Sequence, residues 1–185
     1  AAAIRDRANA NGKEAGRPQI WVRINGSEGR WREDVNGVVR GGVFGVRLPK
    51  ASRLEDVVAL DQVLTEAEGN NGLAPRSVSV ALTIESALGV VAARSLAGAP
   101  RVRHLCFGAA DLARDLGVEP GPDETELLLA KQELVIASRA SGLDPPVASV
   151  HTDLRDAPGL KRTTLLARRL GFFGRSCIHP KQLEA

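Results

Sequence analysis

The chain has no methionine and no tyrosine, and aromatic residues make up only 3% of its 185 positions. Proteins that bind single-stranded nucleic acid stack bases on aromatic side chains along a basic groove. Here the net charge is only +3 and basic residues are interspersed with acidic ones. The composition therefore favours small anionic substrates over nucleic acid. Because methionine is absent, Ala1 is not an unprocessed start residue, and we expect the chain to be a fragment or a processed product.

Long apolar runs and cysteine clusters are also lacking. No segment approaches the roughly 20 apolar residues that span a bilayer, and no secretory signal opens the chain. The two cysteines, Cys106 and Cys177, lie in separate apolar segments, which predicts buried, reduced thiols rather than a disulfide framework. We therefore expect a cytoplasmic protein that does not associate with membranes.

Apolar segments typical of strands alternate with helical segments along the chain. The predicted strands cover residues 20–24, 43–48, 78–84, 102–107, 146–150 and 174–178. The predicted helices cover residues 1–15, 86–97, 111–116, 123–141 and 157–170, together with one that begins at a capping box formed by Ser52 and Glu55. Strands separated by helices predict repeated βα units and hence an α/β fold with a parallel sheet.

The strand count indicates which parallel fold to expect. A (β/α)8 barrel of the TIM type has eight strands and about 250 residues. Residues 1–7 have the composition of the middle of a helix, so upstream units are the ones to expect missing. We predict a single TIM-type barrel domain over residues 1–185 that lacks its first two βα units. An open doubly wound sheet is the alternative, although no glycine-rich phosphate loop follows the first predicted strand.

Two acidic residues, Glu85 and Asp111, follow the ends of neighbouring apolar strands, and each stands just before or within a predicted helix start. Sites in parallel α/β folds lie at the carboxyl ends of the strands. Two carboxylates at that edge suit a hard divalent cation, which prefers oxygen ligands. Acids at helix N-termini also complement the helix dipole, so a purely structural role is the alternative.

Further polar residues are predicted at the same edge of the sheet. They are Arg23, Asn25, Arg47, Lys50, Asp153 and His179. Arg23 could hold a substrate carboxylate or pair with one of the two acids. Lys50 is either a phosphate ligand or an exposed loop lysine. His151 and His179 are candidates for hydrogen bonding or general-base catalysis, whereas His104 lies within a strand and is predicted to be a core or rim residue.

Six segments, in the same order, resemble the HpcH/HpaI aldolase–citrate lyase superfamily, and more closely its citrate lyase beta-subunit-like branch. They lie at residues 21–25, 46–50, 82–89, 107–117, 150–156 and 170–180. Two positions differ from the usual family motifs, with Leu88 in place of an arginine and Ala110 in place of a glutamate.

The resemblance implies an enzyme that cleaves or forms a carbon–carbon bond in a 3-hydroxyacyl-CoA such as citryl-, malyl- or citramalyl-CoA. It implies Mg²⁺, or Mn²⁺, as cofactor and CoA as part of the substrate. By the same resemblance Glu85 and Asp111 would coordinate the metal and Arg23 would hold the substrate carboxylate. Lys50 would contact the CoA side. A homo-oligomer, a trimer or hexamer, is the implied assembly.

Two alternatives follow from the same segments. A related aldolase would act on pyruvate and 4-hydroxy-2-oxo acids without CoA. A non-catalytic, truncated subunit would keep the fold without the chemistry.

Overall fold

The computed structural model describes residues 18–26 and 30–184. Its sheet has six strands, all parallel, in the order β1 to β6 along the chain. The strands are β1 Ile20–Arg23, β2 Val43–Leu48, β3 Ser79–Ile84, β4 Val102–Phe107, β5 Val147–Ala148 and β6 Gly174–Arg175. Each strand pairs with the next one along the chain, which confirms the predicted α/β fold of repeated βα units.

Helices connect the strands. They are α1 Trp31–Val38, α2 Leu54–Asn70, α3 Ala87–Ala97, α4 Ala109–Leu116, α5 Leu128–Ala140 and α6 Ala157–Leu170, with 3₁₀ turns at Thr125–Leu127 and Pro180–Leu183. The predicted helix at residues 1–15 lies outside the described residues. Helix α1 was not predicted, because Asn36 and Gly37 are poor helix formers. It is held instead by Trp31 and Val35, which are buried one turn apart on one face.

One helix start follows the sequence prediction, and two depart from it. Ser86 accepts a 3.1 Å hydrogen bond from the Gly89 N–H at the start of α3. The predicted capping box at Ser52 is wrong, since α2 begins one residue later than that motif requires. Arg53 occupies the N-cap position and no side chain caps the helix there. The long predicted helix at 123–141 opens with a 3₁₀ turn before α5 begins.

The two faces of the sheet differ in chemistry. The outer face carries apolar side chains that join the helices in one core, among them Val46, Leu48, Val80, Leu82, Ile84, Leu105 and Phe107. The alternate residues of the same strands, such as Arg47, Thr83 and Cys106, point to the inner face. The inner face of the sheet is therefore polar, whereas the outer face is apolar and covered by helices.

Contacts across the inner face show that the sheet curls. The Trp21 ring on β1 lies 4.9 Å, centroid to centroid, from the His104 ring on β4. Arg47 on β2 donates a 3.5 Å hydrogen bond to Ser176, one residue beyond β6. In a flat sheet β2 and β6 would lie about 19 Å apart. The strands thus form a curled half-barrel like part of a TIM-type barrel, while the two absent βα units stay a prediction.

The last two strands are shorter than predicted, and this changes the setting of one cysteine. β5 and β6 have two residues each instead of the five predicted for each. Cys177 therefore follows β6 and is exposed, so the prediction of two buried thiols is wrong for this residue. Cys106 is buried in β4, where burial raises the pKa of its thiol to about 11. Both thiols are free.

Across residues 18–26 and 30–184, every helix is too short or too polar to cross a membrane.

Candidate active site

Glu85 is the best-defined acid at the carboxyl edge of the sheet. It follows β3 directly, points to the inner face, and is only 7% exposed. Its Oε1 atom accepts a 2.8 Å hydrogen bond from the backbone N–H of Lys50, in the turn after β2. Lys50 has a left-handed backbone with φ of 52°. Such a conformation is uncommon outside glycine, and Arg76, Arg101 and Glu124 share it in this chain.

Gly108, at the end of β4, makes the space that Glu85 occupies. A Cβ atom on Gly108 would lie 2.5 Å from Cβ of Glu85 and 2.7 Å from its Oε2. The next residue, Ala109, donates its N–H to the Ser149 hydroxyl beyond β5 at 3.1 Å. The turn between β4 and α4 is therefore fixed between the acid on one side and a hydroxyl on the other.

Asp111 lies in the first turn of α4, after the strand adjacent to that of Glu85. Its side chain is 42% exposed, and its Oδ1 accepts a 2.9 Å hydrogen bond from Nη1 of Arg114. This position also suits the helix dipole. Glu85 differs, because it precedes Ser86, the N-cap of α3, and so stands outside the first helical turn. The dipole alternative therefore accounts for Asp111 but not for Glu85.

A cleft of about 310 Å³ lies between the segments that follow β1 and β2. It is lined by Arg23, Ile24, Asn25, Gly26, Pro49 and Lys50. Arg23 is exposed there, and Asn25 donates from its backbone and its side chain to Oδ2 of Asp34 on α1. The chain thus brings the predicted pair Arg23 and Lys50 to one cleft, and the Lys50 backbone joins that cleft to Glu85.

Arg47 lies on the inner face of the sheet, one residue before the end of β2. Its Nε donates a 2.9 Å hydrogen bond to the Thr83 hydroxyl, two residues before Glu85 on the same face. Thr83 and the glycine at 108 were not among the predicted site residues. The signal for Thr83 was present in the sequence, because the two-residue period of a strand puts it under Glu85.

The remaining predicted polar residues stabilise turns or lie deeper in the sheet. Asp153 accepts from the Arg155 N–H at 2.9 Å, and Nδ1 of His179 accepts from the Lys181 N–H at 3.2 Å. His151 contacts Asp156, with 3.4 Å between Nε2 and Oδ2. Within the described part of the chain, none of these side chains hydrogen-bonds to Glu85 or Asp111.

His104 is packed between strands, as expected for a core or rim residue. Burial is the main cause that lowers its pKa to about 4. The charge of Asp144 opposes this shift, while the charges of Arg47 and Arg103 add to it. His104 is therefore neutral at physiological pH and stacks edge-on against Trp21.

The donors present fit a metal that takes few protein ligands. Among the described residues, no three or more His, Cys, Asp or Glu side chains are grouped closely enough to hold an ion by themselves. Mg²⁺ usually binds through one or two carboxylates and fills its shell with water and substrate oxygens. Two carboxylates delivered by neighbouring strand ends match that requirement better than they match a closed site for a transition metal.

A curled parallel sheet with a buried acid at its strand ends is typical of TIM-type α/β proteins, which have their sites at that edge. The model of the HpcH/HpaI aldolase/citrate lyase family matches residues 7–180. The chain belongs to this family, which confirms the predicted resemblance.

Individual members of the family are similar to this chain over most of its length. The chain is 36% identical over 152 residues to citrate lyase subunit beta of Haemophilus influenzae, covering 82% of this chain and 52% of that one. It is 30% identical over 164 residues to the (3S)-malyl-CoA thioesterase of Cereibacter sphaeroides, covering 88% and 53%. It thus spans about half the length of these curated relatives. The solved citrate lyase beta subunit of M. tuberculosis, complexed with oxaloacetate and magnesium, superposes with a TM-score of 0.71 at 28% identity, covering 89% of this chain and 69% of that one.

Proposed function

We propose that this chain carries the strand-end site of a Mg²⁺-dependent carbon–carbon lyase that acts on a 3-hydroxyacyl-CoA. The observation that carries the proposal is Glu85, a buried acid with one oxygen fixed by the Lys50 N–H. Its second oxygen, Oε2, accepts no hydrogen bond from the described residues and is therefore available as a ligand. Citrate lyase and malyl-CoA relatives support a thioester substrate.

Glu85 and Asp111 are the residues that would hold the metal, and the magnesium bound by the M. tuberculosis relative supports this choice of ion. Mn²⁺ would substitute for it with the same oxygen ligands. When bound, the ion supplies Lewis-acid polarisation of the oxygen that becomes the carbonyl of the 2-oxo acid. Arg23 would hold the substrate carboxylate in a two-pronged hydrogen bond, and Lys50 would face the CoA side.

The proposed cleavage conserves atoms and electrons. A base takes the proton of the substrate hydroxyl, and the bond between the hydroxyl-bearing carbon and the methylene group next to the thioester breaks. The bonding electron pair stays with the thioester as its enolate, and a proton added at carbon gives acetyl-CoA. The hydroxyl-bearing carbon becomes the carbonyl of the 2-oxo acid.

The test is to incubate the purified protein with Mg²⁺ and citryl-, malyl- or citramalyl-CoA, and to measure acetyl-CoA and the 2-oxo acid released. Glu85→Gln should lower kcat/KM at least about 1000-fold, or about 4 kcal/mol, because it removes a charged metal ligand. The matched control is Glu66→Gln on the exposed face of α2, which should leave the rate unchanged.

Two results would point to the alternatives. Inactivity on all thioesters together with turnover of 4-hydroxy-2-oxo acids would indicate the CoA-independent aldolase that the family description also includes. Inactivity on both substrate classes would indicate a non-catalytic subunit.

The proposal extends to the whole protein. We infer that a complete barrel contains two further βα units, since a TIM-type barrel has eight. We also infer a cytoplasmic location and a homo-oligomer, either a trimer or a hexamer. Light scattering on the purified protein would test the oligomeric state.

A further inference from the structure

Arg47 on β2 and Arg23 on β1 are neighbours on the inner face of the sheet. Strand register pairs Arg23 with Arg47, and Arg47 with Ala81. Register partners on adjacent strands point to the same face of a sheet. The two arginines therefore leave the sheet from paired positions on one face, and like charges at paired positions are unfavourable unless negative charge is supplied to them.

The contacts of Arg47 hold it in place without neutralising it. Its Nε donates to Thr83 at 2.9 Å and its Nη1 donates to Ser176 at 3.5 Å, and both acceptors are uncharged hydroxyls. No ion pair within residues 18–26 and 30–184 includes Arg47. The part-buried guanidinium is thus fixed in direction and lacks a counter-charge from these residues.

Two arginines near the start of β4 have carboxylate partners instead. Arg101, which immediately precedes β4, binds both Asp61 and Glu68. Arg103 on β4 pairs with Asp144 at 2.8 Å. Carboxylates thus neutralise arginines at the amino-terminal side of the sheet, whereas hydroxyls hold the arginine that lies below the proposed metal site. A substrate anion would complete the missing pair.

We propose that Arg47 binds a second carboxylate of the substrate, so that the site selects thioesters which release a 2-oxo dicarboxylate over those which release a 2-oxo monocarboxylate. This inference rests on the proposed function and adds a specificity-determining residue to it. Arg23 takes the carboxylate next to the reacting carbon. Arg47 takes the distal carboxylate from below, and Thr83 is a positioning residue that holds the guanidinium.

The sharpest test compares citryl-CoA with citramalyl-CoA. The two differ only where citryl-CoA has a carboxymethyl group and citramalyl-CoA a methyl group, and both release acetyl-CoA, so one assay serves for both. Arg47→Met should lower the ratio of their kcat/KM values about 10- to 100-fold, the range expected for one hydrogen bond to a charged group. Arg47→Lys should restore part of the ratio, because it keeps the charge but not the fork.

Two further variants separate binding from folding. Thr83→Val keeps the shape of the side chain but removes the hydroxyl, so it should lower the ratio by a smaller factor than Arg47→Met. Arg168→Met removes the same charge from the exposed surface of α6 and should leave the ratio unchanged. An equal loss for both thioesters in Arg47→Met would overturn the proposal, because Arg47 would then only join β2 to β6. An unchanged ratio would also overturn it.

A binding measurement distinguishes failure of this inference from failure of the proposed function. Calorimetry with Mg²⁺ should find that Arg47→Met weakens oxaloacetate at least about tenfold relative to pyruvate. That result stands even if no thioester is turned over, in which case only the proposed function fails. Equal weakening of the two acids, or binding of neither by the unmodified protein, would reject the role of Arg47 whatever the activity.

Discussion

The backbone N–H of Lys50 donates a 2.8 Å hydrogen bond to Oε1 of Glu85, and this bond links the turn after β2 to the end of β3. The left-handed backbone of Lys50 accompanies this contact. One carboxylate oxygen is therefore fixed by the backbone, while the other lies against Gly108. The sequence motif around Lys50 matters here through its backbone as well as through its charge.

Gly108→Ala should displace Glu85. The added Cβ would lie 2.5 Å from Cβ of Glu85, closer than real Cβ contacts, and the strand ends around it leave little freedom to move. We expect the free energy of unfolding to fall by about 1–3 kcal/mol, as for other overpacked sites. Mn²⁺ affinity, measured by electron paramagnetic resonance, should fall about 10- to 100-fold, as when a ligand loses its support.

The control for this substitution is Gly41→Ala, since a Cβ there would meet no atom within 4 Å. It should leave both measurements unchanged. Normal Mn²⁺ affinity in a folded Gly108→Ala protein would show that Glu85 does not hold the metal in this position.

Arg114→Gln should strengthen metal binding. Arg114 pairs with Oδ1 of Asp111 at 2.9 Å and competes with a cation for that carboxylate. The pair is well exposed, and exposed pairs contribute about 0.2–1 kcal/mol, so we expect Mn²⁺ to bind up to about fivefold more tightly. The gain should shrink at high salt, because the pair is then already screened. Arg139→Gln, on the exposed end of α5, serves as the control, and weaker binding in Arg114→Gln would contradict the role of Asp111 as a ligand.

The strand-end acids could be predicted because a strand has a simple pattern. A mostly apolar strand runs from position 79 to 84 and is followed by Glu85, and the parallel order of the strands follows from the helices between them. The same reasoning brought Arg23 and Lys50 to that edge, where they line one cleft. Local sequence was sufficient at these positions because each depends only on where its own strand ends.

Contacts between distant segments could not be predicted in this way. Neither the left-handed turn of Lys50 nor the need for glycine at 108 is visible until β2, β3 and β4 are aligned. The bond from Arg47 to Ser176 joins residues 129 positions apart and depends on the curl of the sheet. Helix α1 likewise forms because tertiary burial of Trp31 outweighs the weak helix propensity of its sequence.

Arg101→Met should destabilise the fold by about 3–5 kcal/mol, because it leaves Glu68 buried without its charged partner. The Arg101 side chain is 1% exposed, and its Nη1 lies 2.7 Å from Oε1 of Glu68. Burial alone raises the pKa of Glu68, but hydrogen bonds from Arg101 and from backbone N–H groups lower it overall. This contribution to stability is therefore present above about pH 4.5 and is lost as the pH falls through the lowered pKa.

Urea unfolding measures the effect of Arg101→Met. The double variant Arg101→Met with Glu68→Leu should be more stable than Arg101→Met alone, since an apolar pair removes the buried charge. Arg94→Met breaks the ion pair with Glu133 on the helical surface and should cost less than about 1 kcal/mol. Similar losses for the two arginine variants would show that Glu68 does not depend on Arg101.

His104 should make the fold less stable in mild acid. The unfolded chain takes up its proton near pH 6.5, whereas burial delays protonation of the folded chain to about pH 4. Between these values the unfolded state binds more protons than the folded state. The free energy of unfolding therefore decreases as the pH is lowered, by up to about 3 kcal/mol in total. Urea unfolding at pH 7 and pH 4.5 should show this slope in the unmodified protein and a reduced slope in His104→Gln. His179→Gln, which alters the cap of a 3₁₀ turn, should retain the full slope, and equal slopes in all three proteins would exclude His104 as the group responsible.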